Sequence, residues 1–311
     1  YLNIFHYDVE EFLDTKKVNA DEDLRLSTIS TGLIVPSKFF DLAKEGKDFY
    51  MFAPHTVKQE YGVTLDDIDI EKYYDELVAN PNVLKKKKDA REMLNMIAQT
   101  QLQSGYPYLM FKDNANKVHA NSNIGQIKMS NLCTEIFQLQ ETSIINDYGI
   151  EDEIKRDISC NLGSLNIVNV METGKFRDSV HTGMDALTVV SDEANIQNAP
   201  GVKKANNELH SVGLGVMNLH GYLAKNKIGY ESEEAKDFAN IFFMMMNYYS
   251  IERSMEIAKE RGEAYQDFDK SDYASGKYFD FYTSQEFVPQ FEKVKELFAN
   301  MQIPTSEEWK S

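Results

Sequence analysis

Cysteine is scarce in this chain, which has only Cys133 and Cys160 among its 311 residues. A secreted disulfide scaffold would contain many more cysteines. The chain opens Tyr-Leu-Asn-Ile-Phe-His, without the charged start and apolar core of a secretory signal. It also does not open with methionine, so residue 1 need not be a natural start. These features predict a cytoplasmic protein.

Long apolar runs and an excess of positive charge are also missing. No run is long enough to span a bilayer, and the formal net charge is −17. A general nucleic-acid binder needs a basic face for phosphate contacts, and so does a protein that binds an anionic membrane surface. We therefore expect neither nucleic acid nor membrane as a partner.

Internal repeats, low-complexity segments and Pro/Gly/Ser-rich linkers are absent too. We therefore interpret residues 1–311 as one piece of a larger folded unit. Helix patterns are repeatedly followed by strand patterns, which is typical of an α/β fold. The predicted elements, in chain order, are a strand in Tyr1–Val9, a helix at Glu10–Thr15, a β-rich stretch at Leu24–Val35 closed by Pro36, a helix from Pro36 through Ala43 ending near Gly46, a helix at Asp89–Ser104 with Met93, Ile97 and Leu102 at helical spacing, a strand at Tyr106–Phe111, and a helix at Ser232–Arg261 with Phe238, Phe242, Met245 and Tyr249 along one stripe.

Three further features favour structural explanations. Lys85–Lys88 is interpreted as a solvated entry to the Asp89 helix and not as an anion site. Gly213-Leu-Gly215 lacks the third glycine of a dinucleotide-binding fingerprint at the required spacing. His210 and His220 lack the i, i+4 spacing of a helical metal pair.

The segment Asn131-Leu-Cys-Thr-Glu135 combines an amide, a thiol and a carboxylate at every second position. If the segment is extended, these three side chains point to the same side, and Leu132 and Thr134 face the other way and anchor it. Such a group could act on one small polar ligand. Taken alone, the pattern also fits a buried structural cysteine beside a loop acid.

Two more segments accompany it. Asp157-Ile-Ser-Cys-Asn-Leu-Gly-Ser-Leu-Asn-Ile167 places Cys160 at a strand or loop edge, and Asn206-Asn-Glu-Leu-His-Ser-Val-Gly-Leu-Gly-Val-Met-Asn-Leu-His-Gly-Tyr222 follows. Together and in this order, the three segments resemble the large subunit of class I ribonucleotide reductase, and its subclass b in particular. The resemblance runs through essentially all 311 residues, which would form the central portion of the catalytic barrel domain.

The resemblance implies part of a ten-stranded α/β barrel, with residues 131–135 on a finger loop inserted into its middle. Cys133 would carry a thiyl radical that abstracts the 3′ hydrogen of the substrate ribose. Glu135 would accept the proton of the 3′ hydroxyl, and Asn131 would hydrogen-bond the ribose hydroxyls. An ordinary glutamate carboxylate is ionised at pH 7 and can act as a base, and a barrel interior would shield the radical from water.

Cys160 matches the family's reducing cysteine, which helps to remove the 2′ hydroxyl as water and ends in a disulfide. Its partner in the family lies upstream, so Cys133 and Cys160 are not expected to pair. The resemblance implies that the following residues contact the substrate: Asn131, Leu132, Cys133, Thr134, Glu135, Leu162 and Gly163.

The implied partners are a small (beta) subunit with a tyrosyl radical and dinuclear manganese or iron, a second large-subunit chain or complementary fragment, a thioredoxin- or glutaredoxin-like reductant, and a ribonucleoside diphosphate. ATP and dNTP effectors act on the intact family enzyme. We expect no covalently bound cofactor and no metal ligands in this chain.

The chain corresponds to less than half of a family member. The resemblance implies that the segment that binds the substrate diphosphate, the tyrosine pair that passes the radical in, and the C-terminal cysteine pair lie outside it. We therefore expect that the chain alone does not turn over. Two alternatives stay open. One is a catalytically silent assembly piece, and the other is a thiol enzyme that uses Cys160 alone and leaves Asn131 and Glu135 without a role.

Overall fold

The computed structural model describes residues 1–310, which divide into two compact units. The first unit contains residues 1–119 and 126–140, and the second contains residues 120–125 and those from 141 onward. Helices and strands alternate in both units, which confirms the predicted α/β class. Within residues 1–310 the strands form one three-stranded and two two-stranded sheets, and none of these closes into a barrel.

The first unit is built on a short parallel sheet in the order β1–β2–β5, and β3 and β4 pair antiparallel. In the parallel sheet, Leu33 lies opposite Leu2 on one side and Leu109 on the other. The elements of the first unit are β1 (Leu2–Asn3), α1 (Val9–Asp14), β2 (Gly32–Ile34), α2 (Ser37–Glu45), β3 (Asp48–Phe52), α3 (Pro54–Tyr61), α4 (Ile70–Ala79), β4 (Lys85–Asp89), α5 (Ala90–Ser104), β5 (Tyr108–Met110) and α6 (Lys112–Lys117).

Aromatic side chains form the centre of the first unit's core. Phe5, Phe39 and Phe49 are fully buried, and the ring of Phe49 packs edge to face against Phe5 and Phe39 at centroid distances of 6.0 and 5.3 Å. Each buried side chain of this size stabilises the fold by roughly 1.5–3 kcal/mol. A smaller buried cluster joins the sheet to the loop that follows α6, because Ile34 and Met110 pack with Ile127.

The second unit pairs β6 with β7 in parallel and packs its two longest helices, α8 and α11, together. Its elements are β6 (Leu162–Asn166), α7 (Ile167–Thr173), α8 (Phe176–Glu193), α9 (Pro200–Leu209), β7 (Gly213–Met217), α10 (Leu219–Lys225), α11 (Glu233–Arg261), α12 (Asp280–Thr283), α13 (Glu292–Phe298) and α14 (Ser306–Lys310).

Helix α11 confirms the prediction made for Ser232–Arg261. The Ser232 hydroxyl accepts a hydrogen bond from the backbone N–H of Ala235 at 3.1 Å and caps the helix, and Gly262 ends it with φ of +76°. The predicted stripe is buried, with Phe238, Phe242 and Met245 fully inaccessible and Tyr249 nearly so. The helices predicted after Pro36 and Asp89 are also present, and they end at Gly46 and Gly105.

The β-rich prediction for Leu24–Val35 is wrong for most of its length, since only Gly32–Ile34 form a strand. The earlier part is held as a series of turns. The ammonium of Lys16 donates to the carbonyls of Leu26 and Ile29, and the backbone N–H of Leu26 donates to the carbonyl of Thr15 at 3.1 Å. Backbone groups that bind a lysine and a helix end are not available to a neighbouring strand.

Lys85–Lys88 form strand β4, which the sequence did not predict, and this strand leads directly into α5 at its N-cap Asp89. The strand pairs with β3, so that Lys88 lies opposite Phe49 and Lys86 opposite Met51. Acidic side chains neutralise the lysine charges at the surface, where Lys88 pairs with Glu10 at 2.7 Å and Lys87 with Asp48 at 2.8 Å. Strand pairing thus overrides the helix-forming tendency of lysine. Leu102, expected on the apolar stripe of α5, is 89% exposed.

No helix among residues 1–310 combines the length and the apolar character that a membrane crossing requires.

Candidate active site

The predicted catalytic residues Asn131, Cys133 and Glu135 lie at the tip of a loop in the first unit that spans residues 126–140. The loop is tied at its base, where the backbone N–H of Gln140 donates to the carbonyl of Gln126 at 3.3 Å. The Gln140 side-chain oxygen accepts from the backbone N–H groups of Lys128 and Met129, at 3.0 and 2.7 Å. These bonds and the burial of Leu139 hold the base of the loop while its tip projects.

The tip is a turn, and this corrects the sequence-based geometry. Thr134 has φ of +66°, and its backbone N–H donates to the carbonyl of Asn131 at 3.3 Å. An extended segment with strict alternation is therefore wrong for residues 131–135. Leu132, expected to anchor the segment, is 66% exposed. A left-handed conformation at a β-branched residue is strained, and such strain clusters at functional sites.

The side chain of Asn131 builds this turn. Its Oδ1 accepts hydrogen bonds from the backbone N–H groups of Glu135 and Ile136, at 3.2 and 3.1 Å, and from the Ser130 hydroxyl at 3.2 Å. The Ser130 hydroxyl is also 2.7 Å from the carbonyl of Ile136 and is buried. With Oδ1 engaged, the side-chain donor of Asn131, Nδ2, is the group suited to a ligand oxygen.

Cys133 and Glu135 are both exposed on the tip. Tyr108 opens strand β5 and Tyr106 lies two residues before it, with their rings 5.2 Å apart. The pKa of Tyr108 is raised, chiefly because the Tyr106 phenol is beside it, with further contributions from burial and from Cys133 and Tyr1. The tip therefore presents a thiol and a carboxylate to solvent beside a group of tyrosines.

The second unit holds Cys160 just before β6, with its side chain exposed, so the predicted location at a strand edge is confirmed. The residues on either side of it are fixed by the buried amide of Asn206. Asn206 Oδ1 accepts from the Ser159 hydroxyl at 2.9 Å and from Asn161 Nδ2 at 2.8 Å, and Asn206 Nδ2 donates to the carbonyl of Ser191 at 2.7 Å. A fully bonded buried amide of this kind holds its neighbours in one arrangement.

Leu162 and Gly163 open strand β6, opposite Gly213 and Leu214 of β7. A Cβ at Gly213 would come within 2.5 Å of a Leu162 methyl, so the glycine lets the Leu162 side chain lie across β7. Leu162 remains 52% exposed, and Gly163 lies against Leu187. This strand pair presents an apolar, partly open edge next to Cys160.

Among the described residues of the second unit, one group of side chains could bind a metal ion. His181 on α8 and Glu252 and Glu256 on α11 bring ligand atoms within 4.8 Å of one another. Arg177 pairs with Glu252 at 2.8 Å, and Arg253 pairs with Glu256 at 3.0 Å. A cation would have to displace guanidinium groups that already neutralise these carboxylates, so the arrangement is best described as an ion-pair network between two helices.

Two residues that hold predicted site residues in place were missed from the sequence, Asn206 in the second unit and Tyr1 in the first. Asn206 is the first residue of the third motif, so the sequence singled it out, but it indicated no role for the side chain. Tyr1 had no signal, although its hydroxyl donates to the carbonyl of Asn131 at 2.8 Å. Contacts across 130 positions of sequence are not visible in local patterns.

Known proteins resemble this chain over its whole length. The family described as "Ribonucleotide reductase, barrel domain" matches residues 1–311. The "Ribonucleoside-diphosphate reductase subunit alpha" of Bacillus subtilis (strain 168) is 54% identical over 310 residues, which cover 100% of this chain and 44% of that protein. The subunit of the same name from Mycoplasma pneumoniae is 43% identical over 316 residues, which cover 100% of this chain and 43% of the relative. The chain thus spans less than half the length of these curated relatives. Because the family match extends from its first residue to its last, the chain belongs to the ribonucleotide reductase barrel-domain family.

Proposed function

We propose that this chain is the radical-bearing central segment of a ribonucleoside-diphosphate reductase alpha subunit, which converts ribonucleoside diphosphates to 2′-deoxyribonucleoside diphosphates. The observation that carries the proposal is the tied loop 126–140, which presents Cys133 and Glu135 together on an exposed and strained turn. The two relatives are ribonucleoside-diphosphate reductase alpha subunits, which supports the reaction and the diphosphate substrate.

In the proposed reaction the Cys133 thiyl radical takes a hydrogen atom from C3′, forming an S–H bond and leaving a carbon radical. Glu135 accepts the proton of the 3′ hydroxyl, and Asn131 Nδ2 donates a hydrogen bond to a ribose hydroxyl. The C2′–O bond breaks, and the oxygen leaves as water with a proton supplied by a thiol. Cys160 and a second cysteine elsewhere in the subunit supply that proton, the hydrogen that forms the new C2′–H bond and the two electrons, and they end as a disulfide. Glu135 returns its proton to the 3′ oxygen. Cys133 then returns its hydrogen atom to C3′ and regains its radical.

Cys160 suits the reducing role because its side chain is exposed while its neighbours are held by Asn206. Leu162, half exposed, and Gly163 are proposed to form part of the substrate pocket beside it. Leu132 and Thr134 complete the substrate-facing tip in this proposal.

The rest of the subunit is proposed to complete a ten-stranded barrel around the tip of loop 126–140. This loop would then be the finger loop of the barrel. The short parallel strands β1, β2 and β5 and the exposed apolar Leu132 support this, since both call for further chain to pair with and cover them. Enclosure would also exclude water from the radical.

The remaining components are proposed to come from other chains and ligands in the cytoplasm. A small (beta) subunit with dinuclear manganese or iron would supply the radical, a thioredoxin- or glutaredoxin-like protein the electrons, and ATP or dNTPs the allosteric control. A second large subunit would complete a homodimer-type assembly. The chain by itself is not expected to turn over.

Replacing Glu135 tests the base assignment. In the complete subunit, assayed with its small subunit and a dithiol reductant, Glu135→Gln should lower kcat for deoxynucleotide formation by about 10²–10⁴-fold, because the amide cannot accept the proton. The KM should stay within about twofold, since glutamine keeps the shape of the side chain.

The matched control is Glu151→Gln, an exposed glutamate in the second unit, which should leave kcat unchanged. A wild-type rate for Glu135→Gln would show that Glu135 is not the base that accepts the 3′ hydroxyl proton. An inactive wild-type subunit under these conditions would contradict the proposed function as a whole.

A further inference from the structure

The phenol of Tyr1 reaches the candidate radical loop. Its hydroxyl donates a hydrogen bond to the carbonyl of Asn131 at 2.8 Å and also contacts the hydroxyl of Thr134. These are the residues on either side of Leu132 and Cys133. One side chain from outside the loop therefore bonds to both ends of the turn that carries Cys133.

Gly32 makes this reach possible. A Cβ at Gly32 would lie 2.4 Å from Cε1 and 2.6 Å from Cδ1 of the Tyr1 ring, so the ring lies directly over the glycine on strand β2. The backbone of Gly32 is not in the left-handed region, and its partner in the sheet is Tyr108. Close approach of a ring, and not backbone freedom, accounts for glycine at this position.

The hydrogen bonds made by Tyr1 matter because Thr134 has a strained backbone conformation. A β-branched residue with φ of +66° is held in a sparsely populated conformation and persists only where its surroundings fix it. The Asn131 side chain fixes the turn from within, through the N–H groups of Glu135 and Ile136. Tyr1 fixes it from outside, through the carbonyl of Asn131 and the hydroxyl of Thr134.

We propose that Tyr1, seated on Gly32, is a positioning residue that holds the Asn131–Glu135 turn in the geometry in which the Cys133 sulfur meets the substrate. This inference rests on the proposed function and deepens it. Tyr1 acts through the turn, and the reacting atoms belong to Cys133 and the substrate.

Tyr1→Phe in the complete subunit removes the hydroxyl and keeps the ring on Gly32. It should lower kcat by about tenfold to a hundredfold, because small misplacements of a reacting group cost rates of this size. The KM for the ribonucleoside diphosphate and the affinity for the small subunit should change by less than about twofold. The matched control is Tyr61→Phe, which removes a phenol hydroxyl that accepts a hydrogen bond from Asn80 Nδ2 at 3.4 Å and should leave kcat unchanged.

Gly32→Ala tests the same contact between Tyr1 and the loop without removing a polar group. The added methyl would push the Tyr1 ring away from its seat and should lower kcat as Tyr1→Phe does, again with an unchanged KM. Thr134→Ser keeps the hydroxyl for Tyr1 and should retain more activity than Thr134→Ala. Thermal unfolding of each variant should stay close to that of the wild type, which separates positioning from general stabilisation.

A wild-type kcat for Tyr1→Phe would overturn the inference, as would a loss of kcat that follows thermal stability across all the variants. Cys133→Ser in the same assay separates this failure from that of the proposed function. If Cys133→Ser is inactive while Tyr1→Phe is fully active, only the positioning role is wrong. If Cys133→Ser is active, the proposed function itself fails.

Discussion

Asn206 fixes the backbone on both sides of Cys160 through a buried amide that is 2% exposed. Its Oδ1 accepts from three side chains, those of Ser159, Asn161 and Ser191. No other residue type supplies both this acceptor and the Nδ2 donor in the same shape. The segment ahead of β6 therefore depends on one side chain from α9.

Replacing the Asn206 side chain should destabilise the subunit and make the backbone around Cys160 more mobile. Asn206→Ala leaves buried donors without an acceptor, at a cost of about 1–3 kcal/mol for each group that water cannot reach. We expect a lower urea midpoint for the complete subunit and faster alkylation of Cys160. Asn207→Ala, an exposed neighbour on the same helix, is the control and should change neither. Equal midpoints for the two variants would show that the amide network does not hold the segment.

At this scale the sequence predicts chemistry better than geometry. The amide, thiol and carboxylate of residues 131–135 were recognisable as a group, but their arrangement depends on Thr134 adopting φ of +66° and on Asn131 Oδ1 capping the turn. Neither feature follows from period-2 alternation. The proposed role of Tyr1 depends on a contact with a residue 130 positions away, which local patterns do not encode.

At the scale of elements, a single carboxylate links the start of α2 to the first turn of α6. Asp113 Oδ2 accepts from the backbone N–H of Ser37 at 3.0 Å and also from the Ser37 hydroxyl. Burial acts to raise the pKa of Asp113, but the bonds from Ser37 together with those from the backbone of Asp113 and Asn114 outweigh it, and the pKa is lowered overall. The ionised form is thus the one that the folded state favours.

This bond should make part of the stability depend on pH. A depressed pKa in the folded state contributes stability above the unfolded value, about 3.9, and that contribution is lost as the pH falls through the folded value. Asp113→Asn should therefore lower the urea midpoint at pH 7, and its difference from the wild type should shrink below about pH 4. Asp41→Asn, on the exposed face of α2, should show no such difference. A pH-independent difference for Asp113→Asn would rule out the charge as its cause.

Helices with a clear cap and a clear apolar stripe were predictable, as α11 shows with Ser232 and Gly262 at its ends. Strands were less predictable, because pairing partners decide them. The four lysines of β4 form a strand since β3 pairs with them, and the β-rich residues before Gly32 do not, since Lys16 binds their carbonyls. Tertiary contacts decide both cases against local propensity.

At the scale of the whole molecule, composition and motif order were sufficient for the α/β class and for the family, which the full-length match confirms. The division into two units was not predicted. The short segment 120–125 joins the second unit although it lies inside the sequence of the first, and no composition shift marks this exchange. The chain spans 44% of its Bacillus subtilis relative, so the proposed barrel needs residues from outside this sequence.

We propose that Cys133 carries the radical, and the decisive measurement is deoxynucleotide formation by Cys133→Ser. The complete subunit would be assayed with its small subunit, a ribonucleoside diphosphate and a dithiol reductant, with binding of the small subunit measured in parallel. We expect unchanged binding and no detectable 2′-deoxyribonucleoside diphosphate, because a serine hydroxyl cannot replace the thiyl radical. Product formation at the wild-type rate would contradict it.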